Sequence, residues 1–188
     1  LYRLGLAREM YPNLEIDMER NSFANLRNGL RTGHYDLIVT LDFDVEREEA
    51  FDFVVLFPQA PAIAINRKHP LADREGLDMT QLKDEDFVVI SPEESAVGYD
   101  RFITQCQETG FTPRIVRKPR TLESLILCVE MDVGVALLDQ HTRLTSSAVR
   151  TIPIPGKDMF VVAAYLQNDY RPVLQHVLSL LEGKKTAE

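Results

Sequence analysis

The sequence predicts an α/β protein of two lobes separated by a cleft, and three observations carry that prediction. The stretch Phe53–Leu71 (FVVLFPQAPAIAINRKHPL) holds two apolar runs, Phe53–Phe57 and Ala60–Ile65, interrupted by Pro58 and Pro61. Apolar runs of this length bounded by turn signals read as buried strands. Two prolines at their junction forbid one continuous central strand, so the chain leaves one sheet there and enters another lobe. Strand-like runs also alternate with helical patterns along the sequence, which argues for a mainly parallel sheet in each lobe. Finally, 188 residues with 45% hydrophobic content suit one large domain or two small lobes.

Taken in order, Leu1–Met10 reads as an amphipathic helix ended by Tyr11-Pro12-Asn13, since proline cannot continue it. Leu14, Ile16 and Met18 alternate with Glu15, Asp17 and Glu19, the pattern of a half-buried strand. Asn21-Ser22 can cap a helix from about Phe23 to Thr32, which Gly33 stops. Tyr35–Thr40 is an apolar strand of the kind covered on both faces. Asp42–Glu49 carries five acidic residues against one arginine and reads as a solvated loop. After the Phe53–Leu71 crossover come a short helix at Leu77–Lys83, a strand at Phe87–Ile90 and a polar loop at Ser91–Gly98. Tyr99–Thr109 is a helix with Phe102, Ile103 and Cys106 inward, and Arg114–Arg117 a strand. Thr121 caps a helix whose Leu122, Leu125, Ile126 and Val129 follow helical spacing. Val133–Leu138 is a strand that Gly134 lets enter tightly, Gln140–Leu144 a short helix, and Val149–Ile154 and Met159–Tyr165 strands. Pro172–Leu181 is the last helix and Glu182–Glu188 a polar tail.

A net charge of −8 argues against phosphate-backbone binding by this chain, which needs a basic face. No stretch reaches the roughly 20 apolar residues that span a bilayer, so no membrane partner is expected. Cys106 and Cys128 fall in helical apolar patterns and read as buried thiols. His34, His69, His141 and His176 lack ligand spacing, so no metal site is expected. Nucleophile-elbow, dinucleotide and phosphate-loop motifs are missing, and no acid–base pair can be assigned. No enzyme and no cofactor are expected.

What the sequence does offer is a set of capped helix N-termini: Asn21-Ser22, Ser95–Gly98 and Arg120-Thr121. Free N–H groups and the positive dipole end make each a seat for a carboxylate or other anion. Each is equally readable as a cap alone.

The ordered series Tyr11-Pro12-Asn13-Leu14, Leu30-x-x-Gly33-x-x-Asp36-Leu37-Ile38, His69-Pro70-Leu71, Thr121-Leu122-Glu123-Ser124-Leu125 and Val133–Leu138 resembles the effector-binding domain of LysR-type transcriptional regulators. The resemblance implies a type 2 periplasmic-binding-protein fold of two Rossmann-like lobes joined by two crossover strands, with an effector cleft between them. Lobe I is then residues 1–59 and 160–188, lobe II residues 60–159, and the first lobe lacks its first strand in this chain. It further implies a cytoplasmic homodimer, with a tetramer open to the full-length protein. DNA would be contacted only through an upstream winged helix-turn-helix. The dimer would set Leu1–Met10 and Leu14–Glu19 against Tyr99–Thr109 of a second copy. Carried over by position, the effector residues are Asn21, Ser22, Phe23, Ser95, Ala96, Val97, Gly98, Tyr99 and Thr121, with Ala60 and Pro61 near the hinge. Asp139 stands where the family often has proline, and a carboxylate there would disfavour an anionic effector. A solute-binding protein of a transport system is the alternative on the same fold.

Overall fold

A computed structural model of the chain describes residues 7, 10–144, 146–156 and 159–182. Most of the predicted Leu1–Met10 helix lies outside these residues; Ala7 and Met10 are helical, and Ala7 is buried. In chain order the strands are β1 Ile38–Leu41, β2 Phe51–Gln59, β3 Pro61–Asn66, β4 Asp86–Val88, β5 Arg114–Arg117, β6 Ala136–Asp139, β7 Val149–Pro153 and β8 Met159–Leu166. The chain forms two compact units, Leu1–Phe57 with Phe160–Glu188, and Pro58–Met159.

The first unit is built on a sheet of order β1-β8-β2. One face packs Ile38, Phe51, Val162 and Ala164 under Leu30 of helix Phe23–Arg31. The other packs Ala163, Val54 and Leu56 against Leu174, Leu178 and Leu181 of helix Pro172–Glu182. β1 runs antiparallel to β8, with Val39 opposite Ala163. Val39 is 51% exposed, so β1 alternates rather than being covered on both faces as expected. β2 alternates likewise and leaves Phe53, Val55 and Phe57 half exposed. Leu14–Glu19 keeps part of its burial alternation but is no strand, because no described strand forms a ladder with it.

The second unit centres on β3, every residue of which is buried. β6 and β7 flank it, both antiparallel, with Ile63 opposite Leu137 on one side and Ile152 on the other. Among the pairings described, β4 with β5 and the Phe87–Val135 bridge are parallel, while β1–β8, β3–β6 and β3–β7 are antiparallel. The expectation of mainly parallel sheets is therefore corrected. Apolar composition and alternation fix which residues are buried, not which way the neighbouring strand runs, so the buried β3 takes antiparallel partners on both sides. Val133–Val135 join no strand beyond that bridge; Gly134 is needed there because a Cβ would sit 2.5 Å from the Asp86 carbonyl oxygen. Phe87 packs tilted against Phe102 and stacks on Phe111, at centroid distances of 5.2 and 6.2 Å, in the core between β4 and helix Ala96–Glu108.

Three further expectations change. Gln140–Leu144 is a turn, because the Asp139 carboxylate takes the His141 amide (2.9 Å) and the Thr142 hydroxyl and so competes with helix formation. Leu77–Lys83 contains only a 3-10 turn, Met79–Leu82, opened by an Asp78–Gln81 capping box. Asp42–Glu49 is a solvated loop only in its second half, where Glu46, Arg47 and Glu49 are exposed; Asp42–Val45 is a helical turn that buries Phe43, Asp44 and Val45.

Candidate functional site

Helix Phe23–Arg31 begins in a hydrogen-bonded knot. The Ser22 hydroxyl accepts from the Asn25 amide at 3.3 Å. Asn21 Oδ1 accepts from the Ser22 amide (3.0 Å) and from Asn25 Nδ2 (2.7 Å), while Asn21 Nδ2 donates to the Tyr35 hydroxyl (3.2 Å). The Phe23 ring lies 6.1 Å from that of Phe43. Further along, Arg27 pairs with the fully buried Asp44 carboxylate, whose other oxygen accepts from the Thr40 hydroxyl at 3.0 Å. Burial pushes the Asp44 carboxyl up from 3.8 to about 6, against the opposing pull of Arg27 and Thr40. Arg31 meets Glu48 at 2.8 Å. The acidic run thus anchors the helix whose first turn carries Asn21, Ser22 and Phe23.

In the second unit, Ser95 is buried and its hydroxyl accepts from the Gly98 amide at 3.2 Å. The helix starts at Ala96, three residues before its predicted start, because that cap fixes Ala96, Val97, Gly98 and Tyr99 as its first turn. Thr121 caps helix Leu122–Glu130 through the Ser124 amide at 3.1 Å and donates its own proton to the Ser124 hydroxyl. Glu94 and Arg120, each one residue before a cap, join at 3.2 Å. The Ser91 amide donates to the Pro119 carbonyl at 2.9 Å, and Lys118 sits 5.0 Å above the Tyr99 ring. Ser95–Tyr99 and Thr121 are therefore brought together, with two cations beside them.

Ala60, Pro61 and Asp139 form another group of the same unit. Pro61 is opposite Asp139 in the β3–β6 ladder, and the Ala60 carbonyl accepts from the Gln140 amide at 3.0 Å. The Asp139 carboxylate is committed to its turn, with both oxygens taking protein donors. That reduces the repulsion toward an anion that its sequence position suggests. Asn21, Ser22 and Phe23 belong to the first unit.

These groups present hydrogen-bonding atoms and, beside Ser95 and Thr121, positive charge; among the described residues they assemble no nucleophile and base. His69 closes a turn, with Nδ1 taking the Leu71 amide and Nε2 3.1 Å from Glu85. Among the described residues no three His, Cys, Asp or Glu side chains gather as a metal set, and no helix is long and apolar enough to cross a membrane. A shallow depression of about 510 Å³ lined by Gly76–Asp78 and Pro153–Pro155 includes none of the expected site residues. Sequence reading missed the Arg27–Asp44 pair, Glu94 and Lys118. For Glu94 the one signal was its place just before a cap.

The family model for the LysR substrate binding domain matches residues 1–184. The chain is 26% identical over 154 residues to the uncharacterized HTH-type transcriptional regulator YwbI of Bacillus subtilis, covering 80% of this chain and 50% of that protein. It therefore spans about half the length of that relative. Its fold matches the effector binding domain of QuiR in complex with shikimate, with a TM-score of 0.80 at 19% identity, over 97% of this chain and 88% of that one. It also matches the regulatory domain of Synechocystis PCC6803 CcmR in complex with 2-PG, with a TM-score of 0.77 at 18% identity, over 97% and 88%.

Proposed function

The chain belongs to the LysR substrate-binding family and is an effector-binding domain of that kind; from that premise we propose that it is the ligand-sensing part of a DNA-binding transcriptional regulator. The observation that carries this reading is the family match over residues 1–184. The −8 charge supports leaving DNA contact to a separate, upstream domain.

The effector we favour is a small organic acid. Two capped helix N-termini lie side by side with Lys118 and Arg120, a setting that favours negative charge. QuiR is solved with shikimate, a small carboxylic acid, and CcmR with 2-PG. Recognition falls to Asn21, Ser22 and Phe23 of the first unit. In the second it falls to Ala60, Pro61, Ser95, Ala96, Val97, Gly98, Tyr99 and Thr121, with Asp139 beside Pro61. The effector acts by binding two states of the protein with different affinity, since equal affinity shifts nothing. The domain works as a homodimer in the cytoplasm, performs no catalysis and needs no cofactor.

Reading the coding sequence upstream of Leu1 tests this assignment. A basic helix-turn-helix is the expected result. A secretion leader would overturn it in favour of a solute-binding protein of a transport system.

A further inference from the structure

β2 is the longest of the described strands and lies at an edge of the first unit's sheet, beyond β1 and β8. An edge strand offers backbone N–H and C=O groups to any strand that can lie beside it, and lysine, proline or inward charge ordinarily guards it. In Phe51–Gln59 the guards stand only near the ends, Asp52 at one and Pro58 at the other; Phe53-Val54-Val55-Leu56-Phe57 between them carries none. With a period of two, Phe53, Val55 and Phe57 share the face on which Phe51 is buried beneath helix Phe23–Arg31. That cover stops at Phe51: Phe53, Val55 and Phe57 are 39, 48 and 48% exposed, and Phe160 of the neighbouring β8 is 37% exposed. The run also reads nearly alike in both directions. Turned about Val55, it sets Phe53 against Phe57, Val54 against Leu56 and Val55 against itself, and Asp52 meets Pro58 rather than a like charge. A contact between identical surfaces needs such self-complementarity, and aromatic and β-branched cross-strand pairs stabilise a sheet.

We propose that β2 is a self-association edge, where two copies of this chain pair β2 with β2, antiparallel about Val55, and extend one sheet into the next. A fully covered phenylalanine buries about 150–250 Å², so the exposed fractions of Phe53, Phe57 and Phe160 leave roughly 500 Å² to be covered across the pair. Val55 and the strand backbones add to this, but the total stays below the roughly 1,200 Å² at which stable complexes begin. The contact is therefore weak by itself and joins chains already paired elsewhere. It goes beyond the homodimer proposed above, which uses other segments of the chain.

The test is sedimentation equilibrium, from micromolar to millimolar concentration, on wild type, Val55→Lys, Val55→Glu and an equal mixture of the two variants. Wild type should pass beyond the dimer as concentration rises. Each variant alone should weaken that step at least about tenfold, because residue 55 then faces its own charge across the two-fold axis. The mixture should recover it, because lysine then faces glutamate. Met18→Asp should still form pairs at high concentration, and adding Val55→Lys to it should leave monomer. A wild type that stops at a dimer indifferent to both charges overturns the proposal, and so does a weakening that the mixture fails to reverse. Monomer at every concentration overturns this contact and the homodimer together. A dimer that Val55→Lys separates and Met18→Asp does not puts the main contact on β2 and removes the other surface instead. If a charge at position 55 prevents folding, Phe57→Lys takes its place, and undiminished association by that variant overturns the pairing.

Discussion

Glu94 Oε1 accepts two hydrogen bonds from Arg120, from Nε and Nη2, each at 3.2 Å. The carboxylate is almost fully buried and the guanidinium is 75% exposed. This pair ties the residue before the Ser95 cap to the residue before the Thr121 cap, so two helix N-termini share one tether. Arg120→Ala should lower stability by about 1–2 kcal/mol, more than a wholly exposed pair is worth, because its acceptor is buried. Urea unfolding measures this. A change within about 0.3 kcal/mol would reduce the pair to an exposed contact without mechanical consequence.

Asp44 predicts a pH dependence of definite sign. Burial raises its carboxyl from 3.8 to about 6 in the folded state. The folded protein therefore holds this proton more tightly than the unfolded chain does. The resulting stabilisation is fully present below about pH 4 and lost as pH rises through 6, about 3 kcal/mol in all. Asp78 and Asp169 shift the other way, lowered by Thr80 and Arg171 respectively, and so act only below their ordinary range. Unfolding free energy between pH 4 and 6.5 should thus fall more in wild type than in Asp44→Asn. Parallel curves would remove Asp44 as the cause.

Ser22→Ala and Thr121→Ala should each cost about 1 kcal/mol of stability, the ordinary value of a lost N-cap. Their hydroxyls accept from Asn25 and Ser124 amides at 3.3 and 3.1 Å, so this cost follows from structure alone. As effector contacts, they should also weaken binding of a stabilising small acid by more than that amount. Calorimetric titration of both variants separates the roles. Affinities equal to wild type would leave Ser22 and Thr121 as caps only.

The pattern of what was legible follows from how far each signal reaches along the chain. Helix Leu122–Glu130 was readable because Leu125, Ile126 and Val129 mark its buried face and Thr121 its start. β5 was read to the residue, and β3 nearly so, from their local composition. Pairing direction was not readable, because period-2 alternation at Ile38–Leu41 is the same whether the partner runs parallel or antiparallel. Asp44 looked like one member of an acidic loop because its partner Arg27 is 17 residues away. Glu94 and Arg120 are 26 apart, so nothing local announced their bond. At Gln140–Leu144 the helix pattern lost to a side chain, that of Asp139, which bonds the backbone of the turn it begins.

The domain should dimerise. Met10 and Met18 are exposed on the segments proposed to meet helix Ala96–Glu108 of a second copy. Sedimentation at micromolar concentration should give twice the 21.4 kDa chain mass. Met18→Asp should shift the equilibrium toward monomer by placing a charge in an apolar contact. A wild-type monomer across that range would remove the proposed interface.

The most direct test of the central claim is calorimetric titration of the chain with small organic acids, shikimate first, at pH 7. The account predicts saturable one-to-one binding by at least one of them, weakened in Thr121→Ala and accompanied by a rise in melting temperature. Heats no larger than dilution for every acid, with an unchanged melting temperature, would contradict it.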